Sequence, residues 1–217
     1  MRAARALAES TGLGPPTASI RLEKNLPVAS GIGGGSADAA ATLKALCKMW
    51  SSEMDDAELS RIGLSLGADV PVCLLSRTAR FSGIGETVET GAPLPPAGVL
   101  LVNPGVSVAT ADVFARRAGP FSGVASQSGP WADAASMADG LRKSRNDLAE
   151  PAAAIAPVIN DVLNRISEQP GCLLARMSGS GATCFGIFPD DAAAHDAERA
   201  IAEAKRSWWV RATRFQQ

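Results

Sequence analysis

Residues 24–40 read KNLPVASGIGGGSADAA, and the run of small residues from Pro27 to Ala37 decides the fold. Ser30, Gly31 and Ile32 lead into three adjacent glycines, Gly33, Gly34 and Gly35. Ser36 and Ala37 then open an alanine-rich stretch of helical composition. Three adjacent glycines cost conformational entropy that an ordinary turn does not require. Without Cβ atoms, backbone N–H groups can converge on one point, and a helix starting there adds unpaired donors and the positive end of its dipole. The combination is an anion cradle, and polyphosphate is the commonest biological anion of that shape. Ser36, at the helix start, is placed either to cap it or to offer a hydroxyl to a phosphate or its metal ion.

Two familiar phosphate loops are excluded by particular residues. A Walker loop ends in Gly-Lys-Ser/Thr, and GGGSAD contains no lysine. A dinucleotide fingerprint requires glycine at position 36, which is serine, and an acidic residue closing a second strand about twenty residues on. The corresponding region, SSEMDDAEL, reads instead as the start of a helix.

Composition narrows the class. The chain has 217 residues and is 46% hydrophobic, enough for one large or two small domains. Its 21 basic and 22 acidic residues nearly cancel, so it carries no electrostatic signature of nucleic-acid or membrane binding. It has neither a signal-peptide pattern at Met1 nor an apolar run long enough to span a bilayer. Cys47, Cys73, Cys172 and Cys184 form no CxxC pair and read as reduced core residues of a cytoplasmic protein.

Outward from the loop, Arg2–Ala8 is helical in pattern and is stopped by Gly12, Gly14, Pro15 and Pro16. SIRLE (19–23) alternates apolar and polar residues, which predicts a strand. Leu43, Leu46, Cys47 and Trp50 share one face of the helix after the loop. Asp55 and Glu58 predict a capping box for the next helix, which ends between Gly63 and Gly67. VPVCLL (70–75) and GVLLV (98–102) read as buried strands. Residues 118–130, rich in Gly, Ser and Pro, predict a linker or long loop. Helical patterns follow at 131–141, at 157–168 and from Asp191. The glycine-interrupted LLARMSGSGATCFGIF lies between the last two, and WWVRAT (208–213) ends the pattern as a strand. Interleaved helices and strands in both halves predict an α/β or α+β chain of two layers.

LPVASGIGGGSADAA resembles the ATP-binding motif of the GHMP kinases, and MSGSGATCFGIF resembles their C-terminal glycine motif. The blocks KNLP, LGADVPVCL, GIGE, VNPGVSVATADVF and RNDL also match, in order, the branch that acts on a cytidyl-linked polyol of isoprenoid synthesis. The resemblance implies an α+β, two-domain GHMP fold. Residues 1–96 would form an N-terminal ATP-binding domain, ribosomal-S5-like and truncated at its start, and 97–217 a ferredoxin-like domain. It implies ATP as cofactor with Mg²⁺ arriving on the nucleotide, since no cluster has metal-site spacing. The implied partner is a small-molecule substrate, with no nucleic acid and no membrane; a homodimer is the one protein partner entertained. Homoserine- or mevalonate-type kinases, or a catalytically dead nucleotide-binding module, are the alternatives.

Phosphoryl transfer to an alcohol requires a positioned hydroxyl, help with its proton and compensation of phosphate charge. From its neighbours alone, Asp69 in GADVP is a helix-end cap, a turn residue or a catalytic carboxylate. The resemblance places the family's catalytic aspartate on it, with Gly67, Ala68, Val70 and Pro71 matching. It also assigns Pro27, Val28, Ala29, Ser30, Gly31, Ile32, Gly33, Gly34, Gly35, Ser36 and Ala37 to the ATP phosphates. Thr110 reads as an N-cap and Phe114 as a core residue, while the resemblance sets both beside the cytidine. Ser178, Gly179, Ser180 and Gly181 suit either a tight strand-to-strand turn or N–H donation to substrate; in the family this motif flanks the active site. His195 reads as a solvated surface residue, and Trp208 and Trp209 as cover for a sheet edge. Family members carry a preceding segment with a Pro-x-Lys-Ile-Asn-Leu-like strand whose lysine partners the catalytic aspartate. The expectation is therefore that activity belongs to an N-terminally extended product.

Overall fold

The computed structural model describes residues 1–12, 17–28, 30–123 and 129–215. These form two compact units, Met1–Asn25 with Gly33–Gly91, and Leu26–Ile32 with Ala92–Gln217. The division thus falls five residues before the expected 96/97 boundary, and part of the glycine loop groups with the second unit. The notional stop signals Gly14, Pro15 and Pro16 and part of the 118–130 linker lie outside the described residues.

The first unit is helical with one hairpin. Helix α1 (Arg2–Thr11) ends at Gly12, whose φ of 68° supplies the left-handed turn that glycine adopts without strain. In α2 (Gly34–Met49), Leu43 and Leu46 are buried and Cys47 and Trp50 half-buried, as the helical spacing predicts. Helix α3 (Asp56–Leu66) begins with the expected capping box. The Asp55 carboxylate accepts from the Glu58 N–H at 2.7 Å, and the Asp55 N–H donates to the Glu58 carboxylate at 3.3 Å. Ala3, Ala4 and Leu7 of α1 pack with Leu43 and Leu46 of α2 and with Leu59 and Ile62 of α3.

Two strand expectations fail here. VPVCLL is helix α4 (Val70–Leu75). A six-residue apolar run suits either element, and Pro71 sits in the first turn, where its missing N–H costs no intrahelical bond. Val70 and Leu74, four residues apart, both face the core. SIRLE is in no strand; Ile20 and Leu22 are exposed, because alternation sets a face but provides no ladder partner. An antiparallel hairpin, β1 (Ala79–Ser82) with β2 (Thr87–Thr90), carries GIGE at its turn and was not expected from pattern alone.

The second unit is built on strands β3 (Gly98–Asn103), β4 (Leu174–Met177), β5 (Cys184–Phe188) and β6 (Trp209–Arg214), in the order β4-β5-β3-β6 with every neighbour antiparallel. Helices α5 (Thr110–Arg116), α6 (Ala134–Arg142), α7 (Ala149–Ile155) and α8 (Val158–Ser167) come between β3 and β4, and α9 (Asp191–Ala204) comes between β5 and β6. That chain order and strand order are the ferredoxin-like βαββαβ arrangement. Alternation along β5 divides the core. Cys184 and Phe188 pack with Ile159, Ile166 and Ile201 of α8 and α9, whereas Phe185 and Ile187 pack with Met137 and Ala138 of α6. Trp209 lies on edge strand β6, and Trp208 packs against the α8/α9 core. His195 is exposed on α9, 3.1 Å from Glu198.

Candidate active site

The glycine run divides by physical cause. Gly31 has φ 73°, and a Cβ there would lie 2.5 Å from the Gly181 carbonyl oxygen and 2.7 Å from that of Ser178. Close approach of two backbone segments, as well as its dihedral, demands glycine. Gly33 (φ 69°) is the N-cap of α2. Gly35 is helical and exposed, and a Cβ on it or on Gly33 would meet no atom within 4 Å. Neither strain nor crowding at Gly35 requires glycine there. Gly34 and Ser36 occupy the first turn of α2, and Ala37 donates its N–H to the Gly33 carbonyl at 2.9 Å.

Ser36 does not cap the helix. It is the third helical residue, and among the described residues no side chain accepts from the first-turn N–H groups. A sixteen-residue helix thus begins at a glycine N-cap with no side-chain cap and no acidic residue in its first turn, which suits an anion. Before it, Pro27 and Ile32 are half-buried, Val28 is exposed and Ser30 is buried; Ala29 lies outside the described residues. Lys24 pairs with Asp38 at 2.9 Å, tying the residue before the loop to the second turn of α2.

Asp69 precedes α4 with φ −88° and ψ −6° and makes no side-chain capping bond. Asp69 thus holds the N-cap position of α4 through its backbone, and its side chain takes no part in the cap. Its carboxylate is exposed, and it lies near Cys73, whose thiol pKa is raised first by burial and then by this negative charge. An accessible carboxylate that does not cap its own helix remains available to a ligand.

In the second unit the structure corrects two other readings. The N-cap of α5 is Ala109, not Thr110; the Thr110 hydroxyl instead shares a hydrogen bond of 2.8 Å with the Ser180 hydroxyl. Phe114 is 48% exposed, so it is not a core residue; its neighbour Val113 takes the buried position. The SGSG segment is indeed the β4–β5 turn, closed by Gly181 N–H to the Ser178 carbonyl at 2.9 Å. It also holds the glycine loop. The Ser178 hydroxyl donates to the Gly31 carbonyl at 2.9 Å, and the Thr183 N–H donates to the Ser30 carbonyl at 3.2 Å. Thr110, Ser180, Gly179, Gly181 and Gly31 are thus drawn together within this unit.

Sequence reasoning missed two buried or bridging amides. Asn103 donates to the Thr183 hydroxyl at 2.9 Å, both being buried. Asn146, in RNDL, donates to the carbonyls of Met177 and Gly179 at 3.1 and 2.8 Å. The only signal for either was an amide inside a recognisable block. No group of three or more His, Cys, Asp or Glu side chains suited to a metal occurs among the described residues.

Comparison with known proteins identifies the family. Residues 1–77 match the model of the GHMP kinases N terminal domain, and residues 124–206 that of GHMP kinases C terminal. The 4-diphosphocytidyl-2-C-methyl-D-erythritol kinase of Rhodospirillum rubrum is 49% identical over 215 residues, 99% of this chain and 70% of the relative. The enzyme of that name from Paramagnetospirillum magneticum is 49% identical over 210 residues, 97% and 73% of the two chains. A crystal structure of 4-(cytidine 5'-diphospho)-2C-methyl-D-erythritol kinase superposes with a TM-score of 0.74 at 31% identity, covering 100% of this chain and 78% of that one. Homoserine kinase from Cytophaga hutchinsonii reaches a TM-score of 0.71 at 16% identity, a likeness of fold. With both domain models matched and relatives of this identity spanning nearly all its length, the chain belongs to the GHMP kinases, in the branch of the 4-diphosphocytidyl-2-C-methyl-D-erythritol kinases.

Proposed function

We propose that the protein transfers the γ-phosphoryl group of ATP to the 2-hydroxyl of 4-diphosphocytidyl-2-C-methyl-D-erythritol, a step of non-mevalonate isoprenoid precursor synthesis in the cytoplasm. The observation that carries the reading is the 49% identity to kinases of that name along 215 residues, motifs in register. Catalysis in such transfers is largely positioning and charge compensation. The segment Pro27–Ala37 holds the nucleotide phosphates, with the uncapped start of α2 and the open space at Gly33 and Gly35 as the fit. Mg²⁺ would be held through the nucleotide phosphates, within reach of the Ser36 hydroxyl at the start of α2, and would supply charge neutralisation there. Asp69 accepts the proton of the attacking hydroxyl; its exposed, non-capping carboxylate supports that role. Thr110, Phe114, Gly179, Ser180 and Gly181 border the substrate, Phe114 offering an exposed ring to a base.

The position of transfer tests the proposal. Incubating the full-length gene product with ATP and the cytidyl substrate and analysing the product by phosphorus NMR should show one new phosphomonoester on the tertiary 2-carbon. A phosphate on another hydroxyl, or none, would overturn it.

A further inference from the structure

We infer that Asn146 is a positioning residue for the nucleotide, acting through the SGSG turn on the glycine loop; this rests on the reading of Pro27–Ala37 as the phosphate-holding segment. Its side chain has one arrangement that satisfies every partner. The amide N–H₂ faces two carbonyl oxygens, of Met177 and Gly179, and the amide oxygen accepts from the Leu148 N–H at 3.0 Å. The segment carrying it is itself held, since Arg176 of β4 donates to the carbonyls of Ser144 and Leu141 at 2.7 and 2.9 Å. Asp147, next along, bonds elsewhere, accepting from the N–H and hydroxyl of Ser122 and from Arg145.

The turn that Asn146 grips is the one in contact with the loop. A Cβ on Gly179 would lie 2.8 Å from the Gly31 carbonyl oxygen, which also accepts from the Ser178 hydroxyl. A Cβ on Gly31 would in turn meet the carbonyl oxygens of Gly181 and Ser178 at 2.5 and 2.7 Å, so the two segments are closely apposed there. The path therefore runs from the Asn146 amide through the Gly179 carbonyl to Gly31 by direct contacts, all within the second unit. A carboxylate at 146 would keep the Leu148 bond with one oxygen while presenting the other, negative, to two carbonyl oxygens, so the turn must shift. Loss of an outer-shell partner of a metal ligand costs about 10- to 100-fold, and a support at the same remove from a phosphate is expected at the lower end of that range.

The test measures binding of a non-hydrolysable ATP analogue to the full-length gene product by calorimetry, with melting temperature recorded for each variant. Asn146→Asp should weaken nucleotide binding about tenfold, and Ser178→Ala, which leaves the backbone intact, should weaken it in the same direction. The double variant should lose less than the product of the two, as expected for one shared path. Asp147→Asn, in the same segment, should lower the melting temperature without changing nucleotide affinity. If Asn146→Asp melts lower yet binds as wild type, the residue is only structural and the inference fails. If Asn146→Asp does not fold, Ser178→Ala binding as wild type overturns it as well. A wild-type protein that binds no nucleotide would instead overturn the phosphate-loop reading on which the inference stands.

Discussion

At the residue scale, Asp69 stands at the start of α4 with a side chain that makes no capping bond, so the role proposed for it is separable from the fold. The six-residue α4 is anchored by Val70 and Leu74 in the core, so it does not depend on the carboxylate. Asp69→Asn should therefore leave the melting temperature and nucleotide affinity near wild type while lowering kcat by about 10²- to 10⁴-fold, the usual worth of general-base assistance. Turnover within a few-fold of wild type would reduce Asp69 to a turn residue. Cys184 gives a second prediction. Burial against α8 and α9 raises its thiol pKa to about 12. A raised pKa means that the folded state keeps its proton longer than the unfolded chain. This contribution to stability is complete below the ordinary thiol range and is lost as pH rises towards 12. At pH 8 a thiol reagent should label Cys184 only on unfolding, whereas the half-buried Cys47, Cys73 and Cys172 should react in the native protein. Native labelling of Cys184 would contradict its place in the core.

At the scale of elements, Ser30 and Gly31 are tied to the β4–β5 turn, and the glycines of the loop are separable by substitution. Gly31→Ala imposes a left-handed φ on a side chain, costing about 1–3 kcal/mol, and drives its Cβ into two carbonyls. It should lower both melting temperature and nucleotide affinity. Gly35→Ala adds a methyl to an unstrained helical residue facing open space, which favours the helix. It should weaken nucleotide binding while holding or raising the melting temperature. Equal losses of stability in the two variants would mean that the run is a structural turn. What could be read from sequence follows the same division between local and distant causes. The Asp55–Glu58 capping box, the Leu43/Leu46 face and the Gly12 stop were legible because each depends on residues within a few positions. VPVCLL was not, since its length fits strand and helix alike. Nor was the use of Thr110, whose partner Ser180 lies seventy residues away, or the exposure of Phe114, where Val113 took the inward position. The carbonyl contacts that require Gly31 come from residues 178–181, so its glycine looked like its neighbours in sequence but has a different cause.

For the whole molecule, each unit has its own core, and the residues proposed for the chemistry are divided between them. The first holds α2 and Asp69, and the second holds the βαββαβ sheet, the SGSG turn, Thr110 and Phe114. The fold is shared with homoserine and mevalonate kinases at identities of 14–16%, so fold alone does not choose the alcohol. The choice rests on residues that the whole chain has in common with relatives 49% identical to it. Turnover by the full-length gene product, measured with ATP and each of three alcohols under one condition, tests this most directly. The account predicts phosphorylation of 4-diphosphocytidyl-2-C-methyl-D-erythritol and none above background for homoserine or mevalonate; turnover of either of those without the cytidyl substrate would contradict it.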